Sequence, residues 1–97
     1  MKVAKKLGGL TMAPFEPADA SAVQAVFNGT ADEDQQRRAM RWLLEGACRI
    51  HETSFSPDND RMTIFHEGQR FVGKQIAEML RTDVRGLLAS LQTRSEV

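Results

Sequence analysis

The sequence predicts an all-α fold: a small helical bundle built on a helix-loop-helix hairpin, with an extended N-terminal arm. Three observations lead there. The apolar positions draw heavily on Leu and Met, Tyr is absent and Trp occurs once, a composition that favours helices over strands. Apolar residues recur at i, i+3, i+4 and i+7 in two separate segments, Met40, Leu43, Leu44 and Ala47, then Val84, Leu87, Leu88 and Leu91, which is the stripe of a helix with one face turned to a core. Residues that cap helices stand ahead of the periodic segments, Thr30 with Glu33 before one and Asp60 before another.

Ninety-seven residues make one domain at most, and one hydrophobic core. The expected organisation is an extended arm over 1–17, a single helical domain over 18–92 and a frayed polar tail over 93–97. The arm contains two glycines and two prolines, without helical or alternating periodicity, so left to itself it is expected to be mobile. It carries Leu7, Leu10, Met12 and Phe15 nonetheless, which suit it to being held, either on its own domain or on a neighbouring subunit.

A short helix is expected over 19–27, with Asp19 as cap and Ala22, Val23, Val26 and Phe27 sharing a face; Asn28-Gly29 ends it. The helix over 30–50 has Asp32, Glu33 and Asp34 in its first turn and Arg37, Arg38 and Arg41 after them, an order that suits the helix dipole. Trp42 falls off its stripe, and packing is the preferred reading over an exposed anchor for a partner. Residues 51–60, HETSFSPDND, are a turn-rich connector interrupted by Pro57. The longest helix follows over 61–80, where Phe65, Val72, Ile76 and Met79 trace the expected core face and Ile64, Phe71 and Leu80 widen it. Gly68 and Gly73 are unusual inside a helix, each costing about 1 kcal/mol relative to Ala, and point to close approach of another helix or to a bend. The last helix, over 84–91, starts near Thr82 or Asp83.

Thirteen Lys and Arg balance thirteen Asp and Glu, so no overall field draws the chain to nucleic acid or an anionic membrane. The best local candidate for a phosphate-contacting face is Arg70, Lys74 and Arg81, on one side of the helix over 61–80, but Glu67 and Glu78 partly cancel it. The single cysteine, Cys48, reads as a small buried residue. No apolar run reaches the length of a signal core or a membrane span, and a cytoplasmic protein is expected.

His51-Glu52 and His66-Glu67 lack the second His of a zinc-protease helix. Asp58, Asn59 and Asp60 lack the glycine and distal Glu of a calcium loop. Gly8-Gly9 lacks the flanking strand, helix and Lys-Ser/Thr of a phosphate loop, and no base stands by a nucleophile. No catalytic, cofactor-binding or metal-binding residue is assigned, no cofactor is expected and an enzyme is not the favoured reading. The candidate interface residues are Leu7, Leu10, Met12, Phe15, Trp42, Gly68, Arg70, Gly73 and Lys74.

VFNGTADEDQQRRAMRWLLEGACRI, SF in the connector, and FHEGQRFVGKQIAEML resemble a small family of uncharacterised tailed-bacteriophage proteins of the Bordetella podophage type, encoded among head and tail morphogenesis genes. The shared pattern consists of Phe27, a polar helix start, Trp42-Leu43-Leu44, a connector, then Glu67-Gly68, Arg70 and Val72-Gly73. It covers residues 26–80, with Gln69 where the family favours a basic residue. The resemblance implies a virion or virion-assembly component, found in the virion and, during assembly, in the host cytoplasm. Its implied partners are portal, tail or internal proteins. Together with the residue patterns it leads to the expectation of a non-enzymatic, homo-oligomeric structural subunit, portal-, core- or tail-associated. The alternatives are a DNA-packaging or DNA-associated accessory protein and a non-virion assembly factor.

Overall fold

Gly8 and Gly9 take positive φ, 58° and 86°, the pair of left-handed residues that closes a two-residue β-hairpin without splaying its strands. In the computed structural model, which describes residues 2–95, they join β1 (Lys6–Leu7) to β2 (Leu10–Thr11), with Leu7 opposite Leu10. A bridge between Val3 and Phe15, closed by hydrogen bonds of 2.7 and 2.9 Å, extends the pairing toward the base. The arm is therefore a hairpin and not an extended segment, and Gly8-Gly9 does have flanking strands. The dipeptide between Lys-Leu and Leu-Thr carried that signal, weakened by strands only two residues long.

Four helices follow, so the chain is mostly helical with one small two-stranded sheet. Helix α1 (Pro17–Asn28) starts two residues earlier than the pattern suggested, because Pro17 suits the first helical turn. Asp19 is inside the helix and its carboxylate reaches back to accept the Glu16 N–H at 2.8 Å. Gly29, with φ 74°, ends α1 as expected. Thr30 belongs to this ending as well, since its N–H donates to the Ala25 carbonyl at 2.9 Å. The capping box of α2 (Glu33–Arg41) consequently lies two residues on: Asp32 accepts from the Gln35 N–H at 2.8 Å, and Gln35 accepts from the Asp32 N–H at 3.0 Å.

Beyond Arg41 the helix widens into a π-helical segment, Trp42–Ala47. Here the Cys48 N–H donates to the Leu43 carbonyl, five residues back, at 2.9 Å. The wider turn inserts a residue into the 3.6-residue rhythm, which is why the Met40, Leu43, Leu44 and Ala47 stripe is only half-buried. Arg49 leaves the helix in the left-handed region, at φ 53°. After the connector, Asn59, and not Asp60, caps α3 (Asp60–Arg81) by accepting the Met62 N–H at 3.1 Å. Thr82 is extended, and Asp83 then caps α4 (Val84–Ser95) through the Gly86 N–H at 3.1 Å. Helix α4 runs past the expected end at Leu91, so 93–95 of the expected frayed tail is helical; 96–97 lies outside the described residues.

The closest helix pair is α1 with α2, while α3 meets this pair at the π-helical segment. The expected hairpin of 30–50 against 61–80 is thus not the organising contact. Only the end of the second helix reaches α3, where the chain leaves it through Cys48, Arg49 and Ile50. Among the described residues the buried hydrophobic side chains are Ala22, Ala39 and Cys48, and no large side chain is fully buried. The radius of gyration is 17.4 Å, against about 12–13 Å for a compact chain of this length.

Candidate protein-protein interface

Two sides of α3 do different things. One is seated on the rest of the chain. Gly73 is buried against Cys48 and Ile50, where an added Cβ would stand 2.8 Å from Cys48 Cβ and closer still to Ile50. One turn earlier on the same side, Gln69 donates to the Ala47 carbonyl at 3.0 Å and accepts from His66 Nδ1 at 2.8 Å. Arg49 Nη1 lies against the same imidazole, 2.5 Å from Nδ1 and 2.7 Å from Nε2, and Arg49 Nε donates to Glu52 at 2.7 Å. A non-glycine residue in the left-handed region costs about 1–2 kcal/mol, and this chain of polar contacts holds Arg49 there. Sequence reasoning missed it, because Arg49 is distant in the chain from His66 and Gln69 and the three follow no motif.

The other side of α3 faces outward. Ile64 is 72%, Phe71 63% and Met79 75% exposed, with Val72 exposed beside them; Leu80, seven residues beyond Gly73 and on its side of the helix, is exposed past the seat. The stripe expected to face the core fares similarly: Ile76 is half-buried, and Phe65, Val72 and Met79 are exposed. The residues seated on the core are Gln69 and Gly73. Helix α4 continues the exposure through Val84, Leu87, Leu88 and Leu91. Apolar residues exposed singly are ordinary, but so many on two successive helices make these helices the candidate binding surface.

The other candidate residues divide. Leu7 and Leu10 are exposed at the hairpin tip, while Met12 and Phe15 are half-buried beside α1 and Trp42, lining a small apolar cavity of about 200 Å³. Trp42 is half-buried. Its Nε1–H donates to the Pro14 carbonyl at 3.0 Å and its ring lies over Gly46, so it ties the hairpin base to the end of α2. Gly68 has open space where a Cβ would be. Gly73, the second helical glycine, is an internal seat.

Charge on α3 is locally compensated. Arg70 pairs with Glu67 at 3.5 Å and Arg81 with Glu78 at 2.7 Å, whereas Lys74 has no ion-pair partner among the described residues. The buried Ser54 hydroxyl has no partner within strict hydrogen-bond geometry, yet it lies close enough to Glu67 to lead Arg70 and Lys74 in holding that carboxyl below the usual carboxylate range. Across the molecule, Arg38 bridges Asp19 at 2.8 Å and Glu16 at 2.9 Å, tying α2 to the start of α1. The Asp19 carboxyl sits below its ordinary value, chiefly through the Glu16 N–H and then through Arg38.

The nucleophile and imidazoles of the sequence do not share a cleft. Burial pushes the Cys48 thiol up, His66 is engaged by Arg49 and Gln69, and His51 lies exposed beside Glu45 at 3.7 Å. Among the described residues no cluster of three or more His, Cys, Asp or Glu side chains is placed to hold a metal, and no helix is long and apolar enough to cross a membrane. No family model matches the sequence, and neither the curated proteins nor the solved structures contain a significant match.

Proposed function

We propose that this protein is a small structural subunit that acts by protein-protein contact in a bacteriophage particle, without catalysing a reaction, and that its helices complete a bundle only when docked. The single observation that carries the docking part is the uncovered apolar surface of α3 and α4 on a chain whose buried hydrophobic side chains, among the described residues, are Ala22, Ala39 and Cys48. So small a core leaves little to offset the conformational entropy of ordering two long helices, and burial of these faces supplies what is missing. The tips of the hairpin, Leu7 and Leu10, are a second docking point. The phage setting, with portal, tail or internal proteins as partners, rests on the resemblance over 26–80, as do location in the virion and passage through the host cytoplasm.

A DNA-associated role has less support, since Arg70 and Arg81 are paired with Glu67 and Glu78 and the formal net charge is zero. The test is mass spectrometry of purified, nuclease-treated particles, with copy number set against the major capsid protein. Presence at a fixed low multiple is the expected result. Complete absence overturns the virion reading and leaves a non-virion assembly factor.

A further inference from the structure

We propose that α3 pairs antiparallel with the α3 of a second copy of this chain, through the face that presents Ile64, Gly68, Phe71, Val72, Gln75 and Met79. This deepens the assembly reading by naming a partner and a surface. The face is opposite the seat formed by Gln69 and Gly73, and none of the other described elements covers it. Ile64, Gly68, Phe71, Gln75 and Met79 succeed one another at steps of three or four residues, which places them on one side of the helix.

Two features select a second copy as the occupant. Glu67 and Lys74 stand two turns apart on one flank of the face. In an antiparallel pair with its two-fold axis between Arg70 and Phe71, Glu67 of each copy lies level with Lys74 of the other. The same axis centres the helix on itself, setting Asp60 at the start of one copy beside Arg81 at the end of the other. Flanking charges of this kind fix the orientation of paired helices. In this register Phe71 of each copy lies level with Arg70 of the other, close to the axis.

Ile64, Phe71, Val72 and Met79, the large apolar residues of this face, are each 49–75% exposed. At roughly 100 Å² of exposed surface apiece they supply about half of the ~800 Å² per partner of a standard interface, the size of a weak, reversible contact. The zero formal net charge adds no repulsion between copies.

Sedimentation equilibrium of the purified chain tests this. The expected mass in the micromolar range is twice 10.8 kDa. Phe71→Glu, at an exposed site, is expected to return it to the single-chain mass with the helical circular dichroism unchanged. Glu67→Lys and Lys74→Glu each remove both symmetric pairs and are expected to weaken association about tenfold, and the double exchange to return it to within about threefold of the parent. A single-chain mass throughout the micromolar range overturns the pairing, as does a dimer indifferent to Phe71→Glu or a double exchange as weak as the single ones. A single chain that still copurifies with particles sinks the pairing alone. A dimer missing from particles leaves the pairing standing and removes the virion role.

Discussion

Gly73→Ala is the most direct probe of how α3 is seated. The new methyl would meet Cys48 Cβ at 2.8 Å and Ile50 closer than that. Cys48 Cβ is fixed to the backbone at the end of the π-helical segment, so it gives way only if the backbone moves. Overpacking of this kind costs about 1–3 kcal/mol, and two simultaneous clashes place this site at the upper end. Replacing glycine inside a helix returns about 1 kcal/mol. The net expectation is a loss of about 2 kcal/mol, and at about 4–8 °C per kcal/mol for a domain of this size, a fall of about 8–16 °C in Tm. Gly68→Ala is the control: nothing stands within 4 Å of its Cβ position, so at concentrations too low for association the helix gain of about 1 kcal/mol should raise Tm by about 4–8 °C. Thermal melts followed at 222 nm measure both. A Gly73→Ala chain that melts at or above the parent temperature would refute the seating of α3 on Cys48 and Ile50.

Other outcomes follow from the contacts. Asp19 has a depressed folded-state pKa, so its contribution is present above the unfolded carboxylate value and is lost as pH falls through the lower folded one; below about pH 4 the Tm should drop, and Asp19→Asn should flatten that drop in melts taken across the acid range. Trp42→Phe removes the Nε1–H bond to Pro14 and is expected to cost about 1 kcal/mol, with faster amide exchange across the Val3–Phe15 bridge by NMR. Asp32→Ala removes the cap and one arm of the capping box of α2, worth about 1 kcal/mol, read as a lower urea midpoint. Cys48 is 5% exposed and its thiol pKa is raised by burial, so an aromatic disulfide reagent at neutral pH should label it only at the rate of unfolding; labelling as fast as in urea would contradict its burial.

The helices were legible in the sequence because periodicity and caps are local. Gly29 and Asp83 do what their residue types suggest, and the 22 residues of α3 differ from the expected span by one at each end. Neighbours were less legible. Periodicity says which residues share a face, but not what covers that face, so the stripe of Phe65, Val72, Ile76 and Met79 was assigned to a core that lies instead under Gln69 and Gly73. The π-helical segment compounds this, since one additional residue per turn rotates everything after Trp42 and no residue type announces it. The hairpin was hidden by its shortness, and Arg49 by being a non-glycine residue in a glycine-like conformation. Of the candidate interface residues, Gly68 and Gly73 both signal close approach; Gly68 has open space beside it, and the neighbour of Gly73 is its own chain.

The extended outline of the molecule, 53 × 37 × 22 Å, bears on how its assembly state must be measured. Friction grows as a particle departs from a sphere, so a single chain of this shape sediments slowly and leaves a gel-filtration column early, at the volume of a rounder protein of greater mass. If two copies lie side by side and antiparallel, the pair gains girth more than length and its elution shifts little from that of one chain. Column position calibrated with globular standards would therefore merge the two states, and light scattering at the column outlet would separate them.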